Sequence, residues 1–395
     1  MSTPVPSAKT ILFAGGGSGG HLYPGIAVAQ ALREKRPDLT PLFLCTEREI
    51  DRTILAATGF EFIPQPIVPP RKSVGGLLRF WTKWRSTNDL VRGVLIDRYP
   101  VAVLGLGGYA AGVAVKVGAK QNLPAAILNP DVVPGKANQY LMRFCRQIFC
   151  GFDATTGHLP REHAPKARVT GCPLRQDLRP LPRREVAAER LGLDPRLNTL
   201  VVTGASQGAK TVNDAVLEAL AMILQDGTRS GSAATGGSAA HRLQGWQVLH
   251  LAGHDHAEAV RAEYRALGLG SRSRTIDFTP DMADVWSVAD IAVSRAGASS
   301  CHELLACGVP SVLMPYPFHK DKHQMANARE LERSGAAVVV EDVKDRKRNA
   351  LALRPVLEPL LYDASRRQKM GESALAAAKP DAARLVAEAL VEMAA

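Results

Sequence analysis

The first apolar run of the chain leads into a glycine-rich segment, Ile11-Leu12-Phe13-Ala14-Gly15-Gly16-Gly17-Ser18-Gly19-Gly20-His21. The apolar residues predict a buried strand, and five glycines in the next six positions predict a tight loop. An apolar-periodic segment at 26–32, behind Pro24, predicts a helix. Glycines allow the backbone to approach a ligand closely, and the helix start offers unpaired N–H groups. We therefore expect an anionic ligand, most simply a phosphate or diphosphate, at this loop.

Two kinds of chemistry fit this loop. Gly15, Gly17 and Gly20 match G-x-G-x-x-G, and Glu47 follows a plausible second strand, as in a dinucleotide site. His21 favours a different chemistry, because a histidine at a helix N-terminus has a lowered pKa and can accept a proton. His21 could also simply cap the loop. A nicotinamide or flavin enzyme therefore remains an alternative at this point.

Length and charge narrow the class of protein. A chain of 395 residues predicts two or three domains, and 49 Lys and Arg against 38 Asp and Glu favour anionic partners. The longest uncharged apolar run, 101–115, is shorter than the ~20 residues of a membrane span. Residues 1–9 contain no secretory apolar region, so a soluble cytoplasmic protein is expected. The six cysteines show no C-x-x-C and no zinc spacing, so we expect reduced thiols and no bound metal.

Strand-like runs alternate with helical periodicity, which is typical of a parallel sheet covered on both faces. A second strand, glycine loop and helix begin at 199–210, after a hinge at 171–175. The fold class predicted is therefore α/β, with two doubly wound Rossmann-like domains. The predicted strands are residues 10–14, 41–45, 60–63, 101–105, 125–128, 147–150, 199–203, 290–294 and 309–315. Residues 228–240, rich in small residues, predict a flexible insertion.

Residues 69–98 mix basic and aromatic side chains. Seven arginines and lysines alternate with Leu77, Leu78, Phe80, Trp81 and Trp84. Such a mixture favours contact with an anionic membrane surface, where tryptophan lies at headgroup level. The alternative is a helix that buries Leu78, Trp81 and the face near Leu90.

Later loops carry polar side chains at the ends of predicted strands. Ser300 and Glu303 are spaced as a helix capping box, but Glu303 could equally accept hydrogen bonds from ribose hydroxyls. His323, Gln324 and Asn327 can share one helix face.

With these stretches in hand, the chain resembles the MurG family of UDP-N-acetylglucosamine transferases, which convert lipid I to lipid II in peptidoglycan synthesis. The matching stretches are residues 15–24, 107–109, 134–138, 171–175, 204–209, 294–303 and 319–327.

The resemblance implies an inverting GT-B glycosyltransferase with its site in the cleft between the domains. It implies an acceptor- and membrane-binding domain at 1–172, a UDP-sugar domain at 173–379, and a C-terminal helix at 380–395 that returns to the first domain. It implies no cofactor, metal or nucleic acid, but an undecaprenyl-diphosphate acceptor, an anionic membrane at the cytoplasmic face, and proteins of cell-wall synthesis as partners.

The resemblance also assigns site residues. The acceptor and its diphosphate are assigned to Gly16, Gly17, Ser18, Gly19, Gly20 and Tyr109. Asn129 and Asp131, which do not match the family, are added as candidate acceptor residues, and His21 is the expected base on chemical grounds. The UDP-sugar is assigned to Ser18, Gly19, Gly20, His21, Arg175, Ser206, Thr279, Ala298, Ser299, Ser300, Glu303, His323, Gln324 and Asn327.

One stretch departs from the family. Where the family usually has His-Glu-Gln-Asn, this chain has Leu128-Asn129-Pro130-Asp131. Either Asn129 and Asp131 take over the orientation of the acceptor sugar, or the acceptor differs. A related transferase with another lipid-linked acceptor, and a UDP-sugar epimerase of the same architecture, are the alternatives.

Overall fold

The computed structural model describes residues 9–70, 73–204, 208–229, 243–318 and 322–395. It divides the chain into two compact units. The N-terminal unit comprises Met1–Arg175 and Lys379–Ala395, and the C-terminal unit comprises Gln176–Ala378. Arg175 and Lys379 therefore belong to the N-terminal unit, whereas the boundaries expected from the sequence assign both to the second domain.

The N-terminal unit is built on a parallel sheet of seven strands in the order β3-β2-β1-β4-β5-β6-β7. Its strands are β1 Lys9–Ala14, β2 Leu39–Thr46, β3 Glu61–Gln65, β4 Ala102–Gly105, β5 Ala125–Asn129, β6 Gln147–Cys150 and β7 Ala167–Val169. Its helices are α1 Gly19–Lys35, α2 Glu49–Ala56, α3 Val74–Arg98, α4 Gly112–Lys120, α5 Lys136–Leu141 and, from the end of the chain, α14 Ala382–Ala394.

The central strand β1 is apolar because both of its faces are covered. Ile11 and Phe13 belong to one buried cluster, and Leu12 and Ala14 belong to another on the opposite face. Alternate side chains of a strand point to opposite faces, so a parallel sheet between two helical layers needs apolar residues at every position. The C-terminal helix α14 supplies Leu390 to the first of these clusters. The last segment of the chain thus completes the core of the N-terminal unit.

The C-terminal unit repeats this plan with six parallel strands in the order β10-β9-β8-β11-β12-β13. Its strands are β8 Asn198–Thr203, β9 Trp246–Leu251, β10 Ser273–Ile276, β11 Ile291–Ser294, β12 Ser311–Leu313 and β13 Ala337–Val339. Its helices are α6 Arg184–Leu191, α7 Lys210–Arg229, α8 Ala257–Ala266, α9 Met282–Val288, α10 Ala298–Cys307, α11 His323–Arg333, α12 Arg346–Tyr362 and α13 Ala364–Ala377.

Each sheet has one point at which the strand order reverses. In the N-terminal unit this point lies between β1 and β4, and in the C-terminal unit it lies between β8 and β11. The loops that leave these four strands diverge to opposite sides and leave a crevice at the carboxyl edge, where open α/β sheets bind ligands. The glycine loop at 15–20 and the end of β8 at Thr203 therefore lie at the binding edges of their sheets, and the predicted fold class is confirmed.

No helix within the described ranges carries an apolar stretch long enough to cross a membrane.

Candidate functional site

A buried carboxylate, that of Asp51, binds the glycine loop after β1. Both oxygens of Asp51 accept from the Gly17 amide, at 2.9 and 2.8 Å. Oδ2 also accepts from the Thr46 amide at 3.0 Å and from the Thr46 hydroxyl at 2.6 Å. At Gly16, φ is +145° and a Cβ would lie 2.2 Å from Asp51 Oδ2, so only glycine fits. The Gly17 N–H is thus turned inward, and the first-turn amides of α1 at Gly19 and Gly20 are the groups left for an anion.

His21 lies in the first turn of α1 and faces the loop after β4. Its Nδ1 is 3.2 Å from the Ser18 hydroxyl. A Cβ on Gly107 would be 3.2 Å from the imidazole ring, and one on Gly108 would be 3.1 Å away, so both glycines allow the ring to lie against the backbone. The two loops at the β1–β4 crevice therefore meet at the imidazole.

The electrostatics of this site favour a neutral imidazole. Burial lowers the pKa of His21 below its usual value of 6.5. The Asp131 carboxylate, the Gly16 carbonyl and the Asp51 carboxylate oppose this shift but do not outweigh it. The direction is the one expected from the sequence, but the largest cause is burial and not the helix dipole. A neutral histidine at pH 7 can accept a proton.

Asn129, at the end of β5, and Asp131, in the loop that follows, make different contacts. Asn129 is buried, its Nδ2 donates to the Asp131 carbonyl at 2.7 Å, and its Oδ1 accepts from Asn138 at 3.0 Å. The expectation that Asn129 faces the acceptor is therefore corrected: in this structure it braces the turn. Asp131 is half-buried, and its charge acts on His21.

Asn138 lies in the stretch at 134–138, and the sequence analysis assigned it no role of its own. Its side chain is 6% exposed, and its Oδ1 has no donor among the described residues. This oxygen lies 3.7 Å from the position of a Gly107 Cβ, next to the His21 ring. A buried acceptor without a protein donor suits a substrate hydroxyl or amide. The signal was present in the stretch at 134–138, which was used only for the resemblance.

Two further predicted residues lie beside this loop. The Tyr109 hydroxyl is 3.5 Å from the position of a Gly17 Cβ. The Arg175 guanidinium lies 4.9 Å over the ring of Tyr23, two residues after His21. The structure therefore brings Gly16–Gly20, His21, Tyr109, Asp131 and Arg175 together within the N-terminal unit.

In the C-terminal unit, α10 begins directly at the loop after β11. Gly297 is its N-cap, and the Cys301 amide donates to the Gly297 carbonyl at 2.9 Å. The capping-box alternative is wrong, because Ser300 is already the third residue of the helix and Glu303 lies in the second turn. The amides of Ala298, Ser299 and Ser300 form the first turn, where the helix supplies no acceptor. A helix start of this kind suits a diphosphate.

Glu303 is fixed by a buried indole. Trp286 Nε1 donates to Glu303 Oε2 at 2.9 Å, and Trp286 is fully buried on α9. Sequence reasoning missed Trp286, since its position relative to α10 depends on the fold. The carboxylate is thus held half-buried on the second turn of α10.

The other residues assigned to the UDP-sugar lie at the carboxyl edge of the C-terminal sheet, and they differ in solvent exposure. Gln324 is half-buried and accepts from the Tyr316 amide at 2.9 Å, whereas Asn327 is buried and donates to the Ala296 carbonyl at 3.1 Å. Thr279 follows β10 and accepts from the Asp281 amide at 3.0 Å. Half-buried His323 begins α11. Ser206, residues 319–321 of the family stretch, and most of the 228–240 insertion lie outside the described residues.

One buried guanidinium joins the loops of this edge. Arg295 donates to Met314 O at 2.8 Å and to Thr211 Oγ1 at 2.6 Å, and it pairs with Asp342 at 2.8 Å. These partners follow β12, begin α7 and follow β13, respectively, while Arg295 itself follows β11. Arg295 therefore positions four segments around α10. The sequence analysis noted it only as part of a family stretch.

The solvent exposure of apolar side chains changes along α3. Leu78 is 66% exposed and Trp81 is 58% exposed, whereas Val91 and Leu95 are buried near the C-terminal end. The alternative that Leu78 and Trp81 form a buried face is therefore wrong. We call Leu77, Leu78, Trp81 and the exposed arginines Arg79 and Arg85 the basic-aromatic surface. Arg71 and Lys72 lie outside the described residues.

Across the described part of the chain, no three His, Cys, Asp or Glu side chains are grouped as a metal site would require.

Two protein-family models match the chain. The glycosyltransferase family 28 N-terminal domain matches residues 11–150, and the glycosyltransferase family 28 C-terminal domain matches residues 199–386.

Two relatives that match nearly the whole chain have the same name. A protein of Sorangium cellulosum named UDP-N-acetylglucosamine--N-acetylmuramyl-(pentapeptide) pyrophosphoryl-undecaprenol N-acetylglucosamine transferase is 34% identical over 98% of this chain and 88% of its own length. A protein of the same name from Halothermothrix orenii is 30% identical over 94% of this chain and 95% of its own.

Solved structures show the same fold. Acinetobacter baumannii MurG has a TM-score of 0.70 at 22% identity and covers 97% of this chain and 99% of its own. UDP-GlcNAc 2-epimerase from Neisseria meningitidis, bound to UDP-GlcNAc, has a TM-score of 0.65 at 14% identity and covers 97% of this chain and 100% of its own.

The Asp51 contacts predict a measurable loss on substitution. Asp51→Ala leaves the amides of half-buried Gly17 and buried Thr46 without their acceptor, and a buried group left in this way costs about 1–3 kcal/mol. We expect a lower urea midpoint in equilibrium unfolding. Asp38→Ala, which removes an exposed carboxylate of the same unit, should leave the midpoint near that of the unmodified protein. Equal midpoints for the two variants would show that Asp51 does not hold the loop.

Proposed function

Because this chain belongs to glycosyltransferase family 28, we propose that it transfers N-acetylglucosamine from UDP-N-acetylglucosamine to the 4-hydroxyl of a muramyl sugar linked through diphosphate to undecaprenol. The observation that carries the proposal is His21, a neutral imidazole at the β1–β4 crevice, between a glycine loop and the Asn138 amide oxygen. Such a group suits the deprotonation of a sugar hydroxyl. Full-length relatives with this activity in their names support the same assignment.

The chemistry is a displacement at the anomeric carbon of the donor sugar. In the tautomer whose Nδ1–H donates to the Ser18 hydroxyl, Nε2 of His21 is the acceptor nitrogen, and it takes the proton of the 4-hydroxyl. The acceptor oxygen forms the new bond to the anomeric carbon, and UDP leaves with the electron pair of the bond that breaks. Attack opposite the leaving group inverts the configuration.

The departing UDP needs stabilisation of its negative charge. The amides of Ala298, Ser299 and Ser300 and the positive end of α10 suit this diphosphate. Glu303 would accept hydrogen bonds from the ribose, with its orientation set by Trp286. Gln324 is the group that we assign to the transferred sugar. The buried Asn327 supports the turn at Ala296.

The acceptor carries a long lipid, so the enzyme has to work at a membrane. We assign this contact to the basic-aromatic surface, where exposed Leu78 and Trp81 stand among arginines. Apolar side chains would enter the interface, and the arginines would meet anionic headgroups. The protein would then be peripheral at the cytoplasmic face, with a part in cell-wall biogenesis, cell shape and division beside other cell-wall synthesis proteins.

A labelled-donor assay tests this function. Purified protein is incubated with labelled UDP-N-acetylglucosamine, with and without a lipid I analogue, and the label is followed into disaccharide lipid and free sugar. We expect label in the lipid only when the acceptor is present. Free or isomerised sugar without acceptor would support an epimerase. Donor binding without transfer would mean another acceptor.

Replacing His21 should remove turnover while preserving the donor site. His21→Ala is expected to lower kcat on the order of a hundredfold or more, because the acceptor hydroxyl loses its base. His158→Ala, an exposed histidine of the same unit, is the control. UDP binding weakened as much as turnover would contradict the catalytic assignment.

The pH profile follows from the sign of the His21 shift. The base works in its neutral form, so kcat/KM should fall only when the pH drops through a pKa below 6.5. This acid limb should be absent from the residual activity of His21→Ala. A limb above pH 6.5 that depends on His21 would contradict the pKa direction.

If the basic-aromatic surface contacts the membrane, substitutions in it should reduce vesicle binding. Leu78→Ser with Trp81→Ser should reduce cosedimentation with anionic vesicles, and added salt should weaken the binding that remains. Ile96→Ser, which removes an exposed apolar side chain at the other end of α3, is the matched control. Unchanged binding of the double variant, or an equal loss for Ile96→Ser, would remove the basic-aromatic surface from the proposal.

A further inference from the structure

A buried histidine on β9 joins two helices of the C-terminal unit. The Nδ1 atom of His250 lies 2.9 Å from the Tyr264 hydroxyl on α8, and its Nε2 atom lies 3.0 Å from Asn213 Oδ1 on α7. Tyr264 and Asn213 are buried as well. Because all three side chains are buried, they act on a ligand only through the groups that they bind.

The hydrogen bonds among these side chains run in one direction. Asn213 Nδ2 donates to the Ala252 carbonyl at 3.0 Å, so Oδ1 of the same amide faces His250 as an acceptor. Burial lowers the pKa of His250 to about 3, so the imidazole is neutral and its single proton lies on Nε2. Nδ1 then accepts from the Tyr264 hydroxyl. We call this series, from Tyr264 through His250 and Asn213 to the Ala252 carbonyl, the buried hydrogen-bond chain.

The buried hydrogen-bond chain ends against the loop between β8 and α7. At Gly208, φ is +70° and a Cβ would lie 2.3 Å from the Ala252 oxygen and 2.9 Å from Gly253 Cα, so the loop backbone packs directly on this carbonyl. The backbone amide of Asn213 donates to the Ala209 carbonyl at 2.9 Å. Asn213 therefore joins the end of the β8–α7 loop, through its backbone, to the end of β9, through its side chain.

We propose that His250 and Tyr264 are positioning residues for the UDP-sugar, because they hold Asn213 in the orientation that fixes the Ala252 carbonyl against the β8–α7 loop. The identity of the ligand rests on the proposed function. The loop leaves the sheet at the reversal between β8 and β11, and the first turn of α7 beyond it suits the negative charge of a diphosphate. A loop that contains glycine has many conformations, so a fixed contact lowers the entropy that is lost when the ligand binds.

Binding of UDP to variants of the buried hydrogen-bond chain tests this role. UDP is titrated calorimetrically into the unmodified protein, His250→Leu, His250→Gln and Tyr264→Phe. His250→Leu should raise the UDP Kd about tenfold, because Asn213 loses its donor and its orientation. His250→Gln should recover part of the affinity, since an amide can still donate to Asn213. Tyr264→Phe removes only a hydroxyl and should raise the Kd about threefold.

Gln247→Leu is the matched control. Gln247 is buried on the same strand and donates to the Asp194 carbonyl at 2.7 Å and to the Thr199 hydroxyl at 3.1 Å, but it lies towards the amino end of β9. Its loss should lower the urea midpoint of unfolding, as the loss of His250 does, and leave the UDP Kd unchanged. An equal rise in Kd for Gln247→Leu would overturn the positioning role in favour of general loosening. An unchanged Kd in both His250→Leu and Tyr264→Phe would also overturn it.

The tautomer of His250 gives a second readout, which does not depend on a ligand. The chemical shifts of its ring nitrogens, assigned by comparison with His250→Leu, should show the Nε2–H form at neutral pH. A ring protonated on Nδ1 alone would overturn the chain, because Asn213 Oδ1 would then have no donor.

Steady-state kinetics separate this role from the proposed function. In His250→Leu and Tyr264→Phe, the KM for UDP-N-acetylglucosamine should rise by the same factor as the UDP Kd, while the KM for a lipid I analogue stays unchanged. A rise confined to the KM of the acceptor would overturn the positioning role. If UDP binding depends on His250 but no label reaches lipid I, the positioning role stands and the proposed function fails.

Discussion

The Asp51 carboxylate sets the shape of the N-terminal glycine loop. A loop of consecutive glycines has many conformations, so its ordering carries an entropic cost that a fixed partner has to offset. Asp51 provides that partner by binding the Gly17 amide and the Thr46 backbone and side chain together. The loop is thereby tied to the end of β2, and α1 begins directly beyond it with His21 in its first turn.

In each unit a buried charged side chain fixes the loops at the binding edge, and the two charges have opposite signs. Each sheet reverses its strand order once, and the loops on the two sides of the reversal have to be fixed in position at the binding edge. A buried anion, Asp51, holds the loop of the N-terminal unit, whereas a buried cation, Arg295, joins the loops of the C-terminal unit. Burial lowers the pKa of Arg295, while its bond to Asp342 and the charge of that carboxylate favour the charged form. A paired buried charge of this kind is costly to break, because removing one partner leaves the other unsatisfied.

The sequence was most informative where periodicity and glycine chemistry agree. Strands such as β1 and β8 contain a continuous apolar run and lead into glycine-containing stretches, and both were predicted. Strand β9 was missed, because Gln247 and His250 interrupt its apolar run. Both are buried and bonded in the fold, Gln247 to Thr199 and Asp194, and His250 to Asn213 and Tyr264. Strands β7, β10 and β13 were also missed, and in two of them, β7 and β10, an arginine interrupts a run of only three or four residues.

Site residues that act through tertiary contacts could not be predicted in this way. Asp51 and Trp286 act on residues 34 and 17 positions away, respectively, and nothing local marks them. The stretch from Leu128 to Asp131 was noted in the sequence, but the orientation of its side chains could not be predicted. Its departure from the family was read residue by residue, yet the fold turns Asn129 inward and leaves only Asp131 to act on His21. Burial favours a neutral imidazole and thus weakens it as a base, whereas a nearby carboxylate raises its proton affinity. Asp131 therefore offsets part of the effect of burial, so that His21 stays neutral in the resting site and still gains stability when it receives the acceptor proton.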